Sequence, residues 1–176
     1  MSTPSPTVAP ATGRLGVLTV GLGAVASTLI AGVELAKRGL GSPIGSLAQM
    51  DTIRLGKRTD NRNPMIKDFV PLARLEDIVW GAWDPFPDDA YVAATRAGVL
   101  ESGKHLEAIS DTLREIRPMK AAFERNYVKN IDADNTMGKI SKREMLNGIR
   151  ADINKFKDEK KVDRLVMIWC ASTEIF

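Results

Sequence analysis

Apolar positions along the chain change period several times, and each change marks an element. The stretch Leu15 to Ala36, LGVLTVGLGAVASTLIAGVELA, opens with a short, partly β-branched run at Val17, Leu18, Thr19 and Val20. Such a run predicts a buried parallel strand. Gly21 and Gly23 interrupt it, and the period then becomes helical, with Leu29, Val33, Ala36 and Leu40 as an apolar stripe and Glu34, Lys37 and Arg38 as polar positions. Gly39 and Gly41 stop that helix, with Pro43 just beyond. Ile44 to Met50, bounded by Pro43 and Asp51, predicts a second strand. A polar loop follows from Thr52 to Pro64, carrying Arg54, Lys57, Arg58 and Arg62. A loop of this kind can hold a phosphate, but it is more often a solvated connection.

Ile78, Val79 and Trp80 begin a third strand within LEDIVWGAWD, which ends on Asp84. Asp88 or Asp89 caps a helix running to about Leu100. Leu106, Ile109, Leu113 and Ile116 recur at spacings of three and four and predict a helix from about Ser102 to Arg117, ended by Pro118. The segment PMKAAF, from Pro118 to Phe123, reads as a short strand or a loop, and Asn126 to Lys139 as a surface excursion. Ser141 and Glu144 form a capping box that opens a helix with Met145, Ile149, Ile153 and Phe156 on one face. Leu165 to Trp169 is a continuous apolar run, which predicts a strand buried on both faces. Small and polar residues follow from Cys170 towards Phe176. Strands alternating with helices predict an α/β fold with a parallel sheet and helices on both faces.

Candidate chemistry centres on the first turn. Gly21, Gly23 and Ala26 spell G-x-G-x-x-A between a predicted strand and a predicted helix. In a dinucleotide-binding unit the first glycine allows the sharp turn and the second lets backbone approach a pyrophosphate. The third small residue lets the helix pack on the strand, whose neighbour helix aims its free N–H groups at the phosphates. Two other readings stay open. One is an ordinary strand–helix turn. The other is a membrane span, since Leu15 to Val33 carries no charge and is nearly long enough; against it, Glu34 follows at once and the glycines fall where a turn needs them. Parallel sheets place ligand groups just past the carboxyl ends of their strands, where Asp84 falls. Asp51, after the predicted second strand, is a rival acid for the ribose hydroxyls by the same rule.

Composition narrows the picture only slightly. A chain of 176 residues suffices for one domain with a core. The net charge of +3 is modest and its basic residues are interleaved with acids, so nothing argues for nucleic acid. Cys170 is the single cysteine, which excludes an internal disulfide and makes a reducing, cytoplasmic setting the default. Residues Met1 to Gly13 are rich in Pro, Ser, Thr and Ala and lack the basic start and apolar core of a signal peptide. They read as a disordered tail before a domain spanning 14–176. His105, alone among helical polar residues, reads as a surface residue. No cluster has metal-ligand spacing.

Taken together, VGLGAVASTLIAGV, GSLAQMDTIRLGKR, GAWD and WCASTE resemble inositol-3-phosphate synthase, also called myo-inositol-1-phosphate synthase, in a form close to its bacterial members. The resemblance runs from about Leu15 to Phe176 and covers only the amino-terminal part of the family's length. It implies a Rossmann-like, doubly wound parallel sheet that is incomplete at its carboxyl end. It also implies NAD as cofactor, glucose 6-phosphate as substrate and a homotetrameric enzyme. In the family the sugar is oxidised, enolised, closed by an internal aldol step and reduced again, so NAD is restored in every cycle.

By the same resemblance, Gly21, Leu22, Gly23, Ala24, Val25 and Ala26 cradle the pyrophosphate, and Asp84 binds the adenosine ribose. Cys170 and Ala171 line the cofactor, and Ala121 and Ala122 approach it. The match to GAWD favours Asp84 over Asp51. Family members often carry asparagines and a further glycine where this chain has Ala24-Val25-Ala26, and a threonine where it has Cys170, so contacts here rest more on backbone N–H groups. The lysines and carboxylates that handle the sugar phosphate belong mainly to a later domain of the family, and neither Lys57 nor Lys139 is a substitute for them. The resemblance therefore implies the NAD-binding part of an isomerase, inactive by itself. Another NAD-dependent oxidoreductase, or a non-catalytic nucleotide-binding module, stands as the alternative.

Overall fold

The computed structural model describes residues 9, 11–126 and 128–171. Its frame is a four-stranded parallel sheet in the order β3-β2-β1-β4, formed by β1 (Leu15–Val20), β2 (Ile78–Asp84), β3 (Met119–Lys120) and β4 (Arg164–Trp169). The apolar run at Val17 to Val20 becomes the central strand. Leu15 pairs with Ile78 on one side and Arg164 on the other, and the register continues to Val20 opposite Trp83 and Trp169. Alternation then sends Val17 towards one layer of helices and Leu18 towards the other.

The first layer holds α1 (Ala24–Lys37), α4 (Ala90–Ala97) and α5 (Ser110–Glu115), whose core includes Leu22, Ile30, Leu35, Leu106, Ile109 and Leu113. The second is α6 (Lys142–Lys160), which lays Phe156 against Leu18 and Trp83. The Phe156 ring lies over two glycines: a Cβ on Gly16 or on Gly81 would come within 2.8 Å of it. The bare backbone there lets the helix sit close to the sheet. Helices on both faces, and the capping box that opens α6, match the expectation from the pattern. Glu144 N–H donates to Ser141 Oγ at 3.2 Å and Ser141 N–H donates to Glu144 Oε2 at 2.8 Å.

Several details depart from the pattern. Ile44 to Met50 is not a strand. It is a turn followed by α2 (Leu47–Met50), and its apolar side chains, Ile44 and Leu47 among them, are exposed. Short apolar runs do not distinguish strand from helix, and no strand among the described residues pairs with this one. The segment instead leads into an arm. Ile53 N–H donates to Pro64 O and Leu55 N–H to Arg62 O, both at 2.9 Å, before α3 (Ile66–Phe69). The predicted third strand is therefore the second, directly beside β1.

The buried face of α1 is Ala26, Ser27, Ile30, Ala31, Glu34 and Leu35, whereas Leu29 and Leu40 of the expected stripe are exposed. This helix is apolar nearly all round, so spacing could not choose its inner face. Glu34 goes inside because Trp80 Nε1–H and Lys37 Nζ donate to its Oε1 at 2.7 and 2.6 Å.

Asp89 is the cap of α4, accepting from Val92 N–H at 3.0 Å, and the helix stops at Ala97 because Gly98 takes φ +64°. The helix expected over 102–117 buries its predicted residues but is irregular. A π turn (Ser102–Leu106) and a 3-10 turn (Glu107–Ile109) precede α5. β4 is not buried on both faces: Val166, Met167, Ile168 and Trp169 are all exposed. An apolar run licenses a strand but says nothing of what covers it, and β4 is an edge of the sheet.

Among the described residues no helix is long and apolar enough to cross a membrane; Leu15 to Val33 is divided at Gly21–Gly23 into β1 and α1. Of the expected tail, residues 1–8 and 10 lie outside the described residues, and the carbonyls of Thr12 and Gly13 accept from the Arg164 guanidinium. Residues 172–176 also lie outside them.

Candidate dinucleotide site

The carboxyl ends of β1, β2 and β4 converge on the glycine turn. Gly21 leaves β1 at φ +97° and donates its N–H to Trp83 O at 2.8 Å. Beside it, Cys170 N–H donates to Val20 O at 2.8 Å, which brings Ala171 across the turn. A Cβ on Gly21 would stand 2.8 Å from Ala171 Cα and N, so the loop and the end of β4 touch backbone to backbone. Gly23 is the opposite case. It is exposed, and a Cβ there would meet nothing within 4 Å.

Helix α1 starts at Ala24 with no side-chain cap on Gly23 and no acid in its first turn. Its first intrahelical bond runs from Ser27 N–H to Gly23 O at 3.0 Å. The N–H groups of Ala24, Val25 and Ala26 precede that bond and point out of the helix end with the positive pole of its dipole. Ala24 and Val25 are exposed, while Ala26 is fully buried against the sheet. The three positions thus divide the work: two offer open backbone and the third packs.

Asp84 is the last residue of β2 and is half-buried. Its Oδ2 accepts from Leu22 N–H at 2.6 Å and its Oδ1 from Phe86 N–H at 2.9 Å. The carboxylate is thereby held in one orientation, and each oxygen keeps a second lone pair for a hydroxyl. Cys170 is half-buried, and burial pushes its thiol above the ordinary range, so it is neutral at physiological pH. Ala121 is buried and Ala122 exposed just past β3, on the same edge but two strands from β1.

The structure brings together Gly21 to Ala26, Asp84, Cys170 and Ala171, with Ala121 and Ala122 further along the edge. Asp51 stands off the sheet, at the end of α2, where its Oδ1 accepts from its neighbour's Thr52 N–H at 2.7 Å. Arg54, Lys57, Arg58 and Arg62 are exposed in the arm. His105 lies in the π turn and is half-buried rather than on the surface. Its Nδ1 is enclosed without a partner among the described residues. No group of acids, His and Cys that could hold a metal occurs among the described residues.

Strand order 3-2-1-4, a glycine turn after the central strand and an acid at the end of the adjacent one are the halves of a dinucleotide fold. Residues 15–176 match the family model for the NAD-binding domain of myo-inositol-1-phosphate synthase. The chain belongs to this family. It is 46% identical over 170 residues to inositol-3-phosphate synthase 1 of Bacteroides thetaiotaomicron, covering 96% of this chain and 39% of the relative. Inositol-3-phosphate synthase of Dictyostelium discoideum is 30% identical over 178 residues, covering 93% and 35%. The crystal structure of inositol-3-phosphate synthase from Caenorhabditis elegans superposes with a TM-score of 0.79 at 27% identity, covering 92% of this chain and 35% of that one. The chain therefore spans well under half the length of these relatives and corresponds to the family's NAD-binding region.

Proposed function

We propose that this chain is the cofactor-holding part of an inositol-3-phosphate synthase, which converts glucose 6-phosphate to an inositol phosphate. Bound NAD supplies a hydride acceptor that is restored within each turnover. The N–H groups of Ala24 and Val25 hold the pyrophosphate, Ala26 packs the helix start against the sheet, and the open Cα of Gly23 lets the pyrophosphate come close. Asp84 accepts from the adenosine ribose hydroxyls with its remaining lone pairs. Cys170 and Ala171 line the cofactor across the turn, with Ala121 and Ala122 at the far end of the edge. The neutral thiol adds no charge beside the helix start. The part that these residues play in this reading is to bind and orient the cofactor. The reading extends to a cytoplasmic homotetramer, and size-exclusion chromatography reports the assembly.

One observation carries the proposal: uncapped helical N–H groups and a pre-set carboxylate lie at one sheet edge, in a chain of this family. Isothermal titration of the chain with NAD tests it. Saturable binding is expected, with NADP weaker because Asp84 repels a 2′-phosphate. Absence of NAD binding at millimolar concentration, or equal affinity for NADP, would overturn it. In the complete enzyme, glucose 6-phosphate turns over without net NADH, whereas another NAD-dependent oxidoreductase accumulates it.

A further inference from the structure

β2 and β3 pair only at Trp83–Met119 and Asp84–Lys120, and beyond those residues a different group ties the strand ends together. It is Asn135, in the excursion over 121–140. Its Nδ2 lies 2.8 Å from Asp84 O, 3.2 Å from Met119 O and 3.4 Å from Pro118 O. Two amide protons therefore serve three carbonyls, one at the end of β2, one in β3 and one just before it. Its own N–H donates to Pro85 O at 2.9 Å, and its carbonyl accepts from Ala121 N–H at 3.0 Å. Asn135 thus closes the gap between β2 and β3 and completes hydrogen bonds that the short ladder leaves open.

The residue it grips is the one that grips the glycine turn. Asn135 holds the main chain of Asp84, and the Asp84 carboxylate holds Leu22 N–H at 2.6 Å. Gly21 N–H is fastened next door to Trp83 O. A path of hydrogen bonds therefore runs from the excursion, through the end of β2, into the turn that carries the uncapped helix start. On the other side the same residue fixes Ala121, at the far end of the edge.

We propose that Asn135 is a positioning residue for the dinucleotide site: it sets Asp84, and through Asp84 the Gly21–Gly23 turn, in the geometry that receives the cofactor. The proposal rests on reading this edge as the NAD site. Replacement of Asn135 by Ala removes both side-chain donors and leaves only the main-chain bonds to Pro85 and Ala121. NAD affinity of the Asn135→Ala chain is expected to fall about tenfold, the equivalent of one net hydrogen bond in the site's geometry.

Hydrogen exchange separates positioning from general weakening and needs no ligand. Leu22 and Gly21 amides are expected to exchange about tenfold faster in Asn135→Ala, with Cys170 and the β1–β4 ladder within twofold of the parent chain. The Asn135→Ser chain, which keeps one donor, should fall between the two. Uniform loss of protection, or failure of the variant to fold, would make Asn135 a general structural residue and overturn the proposal. So would NAD affinity within twofold of the parent. If the parent chain itself binds no NAD, the cofactor reading fails, while the exchange of Leu22 still decides the Asn135 clasp.

Discussion

Gly21 and Gly23 are two residues apart in one turn, yet alanine at each should do opposite things. At Gly21 the backbone has φ +97°, and the added Cβ would lie 2.8 Å from Ala171 Cα and N and 3.1 Å from the Cys170 carbonyl carbon. These are backbone atoms, which cannot swing aside as a side chain can. Left-handed strain costs about 1–2 kcal/mol, and overpacking into fixed neighbours adds about 1–3 kcal/mol. The sum, about 3.5 kcal/mol at its centre, should lower the melting temperature of a domain this size by about 7–14 °C.

At Gly23 the φ is −78° and the Cβ meets nothing within 4 Å. Alanine there gives up a slightly better helix cap but restricts the unfolded chain, so the net change should stay within about 1 kcal/mol. What it should cost is NAD affinity, at least about tenfold, because a methyl group stands where the pyrophosphate approaches. Thermal melts followed by circular dichroism, with NAD titrations on each variant, give the two readouts. A Gly23→Ala chain that melts as low as Gly21→Ala, or that binds NAD like the parent, would refute the division of labour argued for this turn. A Gly21→Ala chain that melts like the parent would show that Ala171 does not hold its place against the loop.

Three further outcomes follow from the geometry. Trp80→Phe leaves the buried Glu34 carboxylate without its indole donor and should cost about 2 kcal/mol, read by urea denaturation. Cys170 should react slowly with iodoacetamide at neutral pH and speed up only above the ordinary thiol range. Because burial raises its pKa, the folded state favours the protonated thiol, and that stabilisation is present at lower pH and lost as pH rises through the shifted value. Glu144 is lowered by the side-chain and then the backbone hydrogen bond from Ser141, so its support of α6 is present above the ordinary carboxylate range and fades as pH falls through the shifted value. The stability difference between the parent and Ser141→Ala should therefore shrink in acid, as measured by melts across pH.

Legibility from sequence tracked how local each decision was. The glycine turn, the cap at Asp88 or Asp89, the box at Ser141–Glu144 and the stripe Leu106–Ile109–Leu113–Ile116 depend on neighbours within a few residues; each is found there, with Asp89 as the cap. Failures came where a distant partner decides. Ile44–Met50 had strand composition but no strand to join. The inner face of α1 is chosen by Trp80, which stands 46 residues away from Glu34. The apolar run of β4 named a strand correctly and its surroundings wrongly. Asn135 carried no signal at all, since an asparagine in a polar excursion looks like any loop residue. Only the folded chain brings it to the carbonyls of Asp84 and Met119.

The exposed strand β4 gives the sheet a direction of growth. At the β3 side the described sheet stops after two residues, where the Asn135 clasp ties it to β2. At the β4 side every second residue of the six-residue strand presents its peptide groups outward, with Val166 and Ile168 on the α1 face and Leu165, Met167 and Trp169 on the α6 face. A polypeptide zipped along that rim would gain main-chain bonds and shelter for both rows of side chains at once. Cys170 and Ala171 follow directly on that rim, so its end lies beside the glycine turn.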